Sequence, residues 1–141
     1  MNPVARNTLA LLAGIVAGSL VNMGLVNLGP MIVPLPDGAD VTTFEGLRDS
    51  MKLFTPANFI FPFVAHALGT LVGAFVAAKL AASHSLTFAI GVGVFFLLGG
   101  IAAASMLGGP WWFNVADLLV AYIPMAYLGA VLAGATRSKT A

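Results

Sequence analysis

His66 and Asp117 are the only basic or acidic side chains in the interior of the long apolar runs of this 141-residue chain. From Asn7 to Pro36, and again from Ser85 to Ala116, there is no Asp, Glu, Lys, Arg or His. An imidazole titrates closer to neutrality than any other side chain, and a carboxylate beside it fixes its ring and shifts both titrations. Together they could carry a proton or hold the polar end of a ligand. Asn22, Thr70 and Tyr122 are the polar residues whose positions let them join such a site. Other chemistry is excluded. One His and one acid fall short of a metal centre, and no His/Cys/Asp/Glu spacing resembles one. The absence of cysteine removes thiol redox and thiolate sites. Ser19 is not placed at an exposed elbow that would make it a hydrolase nucleophile with His66. The glycines lie within apolar spans and cradle no phosphate. No metal, cofactor or enzymatic activity is therefore expected, since no set of nucleophile, base and orienting group is readable.

The elements that carry these residues follow from composition. The chain is 60% hydrophobic and 8% charged, against about 25% charged in soluble domains, so hydrocarbon is its solvent. Four stretches are long enough to cross a bilayer as helices: 4–28, 58–81, 85–107 and 114–135. Only helices satisfy every backbone group in lipid without an open edge. The expected fold is all-α, a single transmembrane domain over 1–141 with four spanning helices. Arg6 precedes the first apolar run as in a signal peptide, but the run exceeds the roughly 7–15 residues of such a segment, so an uncleaved span is expected. Gly29-Pro30 is expected to end helix 1, Ser83-His84 to make a tight link, and Gly108-Gly109-Pro110 to stop helix 3 ahead of the interfacial Trp111-Trp112.

Four spans put both termini on one side. That side carries Arg6, Lys79, Arg137 and Lys139, the other Arg48 and Lys52, so the positive-inside rule predicts cytoplasmic termini. The loop 29–57 is then the outer one. Within it, Thr42-Thr43-Phe44-Glu45 fits a capping box, with the Thr42 hydroxyl on an early backbone N–H. Phe44, Leu47, Met51 and Phe54 then share one face of a short amphipathic helix, lying over the membrane or across the helix ends. Net charge of +1 gives no field for nucleic acid. The lipid bilayer is the expected partner, with a homo-oligomer or another membrane protein as further candidates.

Depth and spacing aim the polar residues. At about 1.5 Å per residue from Asn58, His66 lies some 12 Å below the outer start of its helix. Asn22, Asn27, Ser105, Asp117 and Tyr122 share the outer half, which suggests an outward-facing pocket. His66, Thr70 and Gly73 follow one face, and so do Gly14, Gly18 and Asn22. His66 could donate to Asn22 or pair with Asp117. Asp117 has a plainer reading: Asn114 is a good N-cap, which leaves Asp117 in a first turn near the positive end of the helix dipole. His66 likewise has a plainer reading, as a satisfied interhelical hydrogen-bonder rather than a proton carrier. Gly14-x-x-x-Gly18, Gly69-x-x-x-Gly73 and the series Ala126, Ala130, Gly134 are faces for close helix packing, inside the bundle or between copies. Pro124 should kink the last helix. Residues 11–20 resemble 97–106, and 72–77 resemble 128–133, which suggests a helical hairpin duplicated in parallel.

The stretch from Asn58 to Lys79 (Asn58-Phe59-Ile60-Phe61-Pro62-Phe63-Val64-Ala65-His66 at its start) and the stretch Asp117-Leu118-Leu119-Val120-Ala121-Tyr122-Ile123-Pro124-Met125-Ala126 resemble a family of small bacterial four-helix membrane proteins. The family carries no assigned activity, so the resemblance implies a class and a bacterial inner membrane, and no mechanism. Small multidrug exporters fit poorly, because helix 1 has no Glu. Two functions stand open: a pocket binding or transporting a small amphipathic or lipid-like molecule, or an accessory protein acting through helix association alone.

Overall fold

The computed structural model describes residues 1–136, so Arg137 and Lys139 of the charge argument lie outside the described residues. The chain is all-α: α1 (Pro3–Ile32), α2 (Phe44–Ser50), a 3-10 turn (Pro56–Phe59), α3 (Ile60–Leu80), α4 (Ser85–Leu107), α5 (Trp111–Val120) and α6 (Ile123–Leu132). Four segments are long and apolar enough to cross a membrane: Pro3–Ile32, Pro56–Leu80, Ser85–Leu107 and Trp111–Leu132. The third matches its expected bounds, and the fourth begins at Trp111 rather than at residue 114.

The bundle is built inside out relative to a soluble protein. Ala65, Ala74, Ala77, Ala89, Ala121, Ala126 and Ala130 are fully buried, while Leu9, Leu12, Val16, Leu20 and Met23 on α1 and Phe95, Leu98 and Ile101 on α4 are exposed. Lipid solvates large apolar side chains as well as protein does, so association rests on close backbone packing, which small residues permit. The α1–α3 seam is the tightest. A Cβ on Gly14 would stand 2.5 Å from the Gly73 carbonyl oxygen, and one on Gly18 would stand 2.6 Å from that of Gly69. On the other side of α3, a Cβ on Gly129 would meet the Leu71 carbonyl at 2.5 Å. Gly14, Gly18, Gly69, Gly73, Ala126 and Ala130 are thus all used within the chain. The hairpins that the internal repeat would relate use different seams: Gly100, the counterpart of Gly14, faces the Tyr122 ring.

At the termini end, Asn7 ties α1 to the α3–α4 link. Its Oδ1 accepts from the Ala82 and Ser83 backbone N–H at 2.7 and 3.3 Å, and its Nδ2 donates to Ser83 Oγ at 3.1 Å. The link is tight because His84 takes the left-handed conformation, φ 53°. Arg6 Nε donates to the Leu80 carbonyl, one of the last of α3.

The opposite end departs from expectation in three places. Helix α1 does not stop at Gly29-Pro30 but runs through it to Ile32, because Gly29 packs against Phe61 and keeps the last turn on the bundle. The N-cap of α2 is Thr43, whose hydroxyl accepts from Gly46 N at 3.0 Å; Thr42 instead donates to Asp40 Oδ1 at 2.6 Å. Asn114 does not cap the fourth span. The N-cap is Pro110, and Asn114 Nδ2, one turn inside α5, reaches back to the Gly108 carbonyl. Asn58 closes the loop: its Oδ1 accepts from Thr55 N, and its Nδ2 donates to the Pro34 carbonyl.

Candidate functional site

The fourth span is broken. Proline at 124 has no N–H for the Val120 carbonyl, and its ring clashes with a continuing helix. Helix α5 ends at Val120, Tyr122 adopts φ −114° and ψ −82°, and α6 restarts at Ile123. In an unbroken helix, residues five apart point about 140° from one another. The break turns Tyr122 back, and its hydroxyl donates to Asp117 Oδ2 at 2.9 Å.

Asp117 meets His66 across the α3–α5 contact. His66 Nδ1 lies 2.8 Å from Asp117 Oδ1 and 3.0 Å from Oδ2. The His66 and Tyr122 rings stack at 5.8 Å between centroids with 28° between their planes. As a carboxylate, Asp117 only accepts, so Nδ1 carries the hydrogen and Nε2 is the ring's remaining functional atom. Exposure differs across the pair: the Asp117 side chain is 6% exposed and that of His66 27%. The plainer reading of Asp117, a first-turn residue at the interface, is therefore corrected. It stands in the second turn of α5, buried.

His66 lines two cavities. One, about 220 Å³, is walled by Asn22, Gly69, Thr70, Phe96, Gly99, Gly100, Ala103 and Tyr122. The other, about 210 Å³, runs from His66 and Asp117 to Leu47, Met51 and Phe54 at α2. Three of the four residues expected on the apolar face of the amphipathic helix thus cover the site, while Phe44 is exposed. An aromatic cluster closes this end, with Phe59 against Phe54, Trp112 and Phe113 at 4.8–5.8 Å between centroids.

Of the five residues expected to form the site, His66, Asp117 and Tyr122 form one hydrogen-bonded unit. Asn22 and Thr70 share a cavity with His66 without bonding to it; Asn22 Oδ1 and Thr70 Oγ1 are buried and without a partner. Asn27 and Ser105 do not join. Their side chains donate to the Met23 and Ile101 carbonyls of their own helices. The α4 wall, Phe96, Gly99, Gly100 and Ala103, was not foreseen. Its signal was Gly99-Gly100, adjacent glycines in a run where a packing face would space them by four. Among the described residues there is no cluster of His, Cys, Asp and Glu able to hold a metal ion.

Comparison with protein families, curated proteins and solved structures finds no match to this chain.

Proposed function

We propose that this integral membrane protein binds a small amphipathic or lipid-like molecule at the cleft around His66, and that any transport it performs passes through this cleft. One observation carries the reading: a buried carboxylate, itself held by the Tyr122 hydroxyl, fixes an imidazole that lines two cavities. A histidine serving only as interhelical glue needs no cavity on either side. Binding is favoured over catalysis, because the hydrogen bonds of His66 run to Asp117 and none runs from a nucleophilic hydroxyl among the described residues. The proposed setting is the bacterial inner membrane with cytoplasmic termini, supported by Arg6 and Lys79 at the end opposite Arg48 and Lys52.

The test is reconstitution into nanodiscs and proteoliposomes, with His66→Ala and Asp117→Asn compared with the parent. The probes are four single-chain amphiphiles sharing one tail: monoolein, methyl oleate, oleate and oleylamine. Proton flux is followed in the proteoliposomes. Weaker binding of at least one probe in both variants supports the reading; binding and flux unchanged in both would sink it.

A further inference from the structure

We propose that the cavity between α1 and α4 receives the neutral, hydroxyl-bearing head of a single-chain amphiphile, which enters sideways from the bilayer and is recognised by Asn22 and Thr70. The proposal rests on the reading above and names the ligand class for its site.

Short polar side chains in a helix ordinarily bond to the carbonyl one turn back. Thr8 does so to Val4, Asn27 to Met23 and Ser105 to Ile101, at 2.8–3.0 Å. Thr70 does not, although it is only 1% exposed. Asn22 Oδ1 is likewise buried and without a partner. Both residues line the same cavity. An unpaired buried polar atom is costly, and among the described residues the buried side-chain atoms left without a partner are these two, both on residues of the cavity wall.

No Lys or Arg lines this cavity, and the His66 ring is already paired with Asp117, so a phosphate or carboxylate head finds no free counter-charge. Asp117 is not on this wall, and both its oxygens are already engaged by His66 and Tyr122, so an ammonium head finds no free carboxylate. What remains is a set of short polar groups, the Asn22 amide, the Thr70 hydroxyl and the free ring nitrogen of His66. A group with hydroxyl donors complements it.

At about 220 Å³ the cavity is smaller than a site that encloses a drug-sized molecule, so it holds a head and leaves the tail outside. Helices α1 and α4 touch toward the termini end, where positions on Gly14 and Gly18 meet Val92 and Phe96. One turn further they separate. A Cβ on Gly99 would have nothing within 4 Å. Gly99 and Ala103 on the cavity rim are exposed on the bundle perimeter, where an acyl chain can lie along α4.

The experiment uses the full chain in nanodiscs, with the four probes above read by native mass spectrometry. Monoolein is expected to bind about tenfold more tightly than methyl oleate, the difference one or two hydrogen bonds can make. Thr70→Val keeps the side-chain shape and removes the hydroxyl; it should bring monoolein down to the methyl oleate level and leave methyl oleate unchanged. Gly99→Leu fills the cavity from a position with room for a side chain and should abolish both. If Thr70→Val lowers the melting temperature sharply, the parent's preference between probes and the Gly99→Leu result decide. Equal binding of monoolein and methyl oleate, or strongest binding of oleate or oleylamine, overturns the neutral-head class while the binding site stands. Unaltered binding in Gly99→Leu overturns this cavity as the place. Binding of none of the four by the parent overturns both this proposal and the function it rests on.

Discussion

Tyr122 donates to Asp117 Oδ2 across 2.9 Å from five residues further along the chain, a pairing that only the break between α5 and α6 permits. The hydroxyl and the His66 ring meet the same carboxylate, so the proline that interrupts the helix also assembles the site.

That coupling predicts a double-mutant result. Pro124→Ala restores the missing backbone donor and favours a continuous helix, which carries Tyr122 away from Asp117. Tyr122→Phe alone is expected to cost about 0.5–1.5 kcal/mol of stability in detergent or nanodiscs. In the Pro124→Ala background that cost should fall to near zero. Thermal unfolding of the four proteins measures the cycle, and an equal cost in both backgrounds would separate the break from the hydrogen bond.

Removing the carboxylate should be worse than removing either donor. Asp117→Ala leaves both His66 Nδ1 and the Tyr122 hydroxyl without their acceptor, a cost of about 1–3 kcal/mol for each group left unsatisfied. Asp117→Asn keeps an acceptor oxygen and should fall between Asp117→Ala and Tyr122→Phe. Unfolding midpoints in one detergent give the order.

The glycines should sort by what surrounds them. Gly14→Ala and Gly69→Ala drive a methyl group onto the facing carbonyl of the α1–α3 seam, at 2.5 and 2.8 Å, whereas Gly24→Ala enters open space. The two seam variants should lower the unfolding midpoint. Gly24→Ala should hold or raise it, since alanine is the better helix former by about 1 kcal/mol.

Asn7 is predicted to act as a structural clamp and not as part of the site. Asn7→Ala frees the Ala82 and Ser83 N–H groups and should destabilise by about 1–3 kcal/mol, with amphiphile affinity unchanged. Hydrogen exchange at residues 81–84 should report the loss first.

The loop before α2 carries the one predictable pH response. The Thr42 side chain and backbone N–H, at 2.6 and 2.8 Å, hold the Asp40 carboxyl below its ordinary value of 3.8. A depressed folded-state value means the stabilisation is complete above pH 3.8 and fades as the pH falls through the lower, folded value. Limited proteolysis of the 33–43 segment by an acid-tolerant protease should therefore accelerate below pH 3.8. Asp40→Asn should cleave rapidly both above and below pH 3.8.

The sequence alone determined the solvent, the fold class and the packing chemistry. Runs without charge as long as those from Asn7 to Pro36 and from Ser85 to Ala116 leave only helices as spanning elements, and glycines spaced by four name the seam where backbones meet. It also named all five polar residues of the site, because in hydrocarbon each is expensive and so conspicuous. Only the tertiary structure decided what they do. Periodicity assumes an unbroken helix, and on that assumption Asp117 and Tyr122 point apart. The assumption fails at Pro124, where the sequence predicts a kink but not that the turn brings Tyr122 back to Asp117. Asn114 looked like a cap because local sequence favours it, yet the helix begins at Trp111 and the amide turns to Gly108 instead. The open wall at Gly99 was hidden for the same reason. A cavity is a property of the distance between helices, and no single helix encodes it.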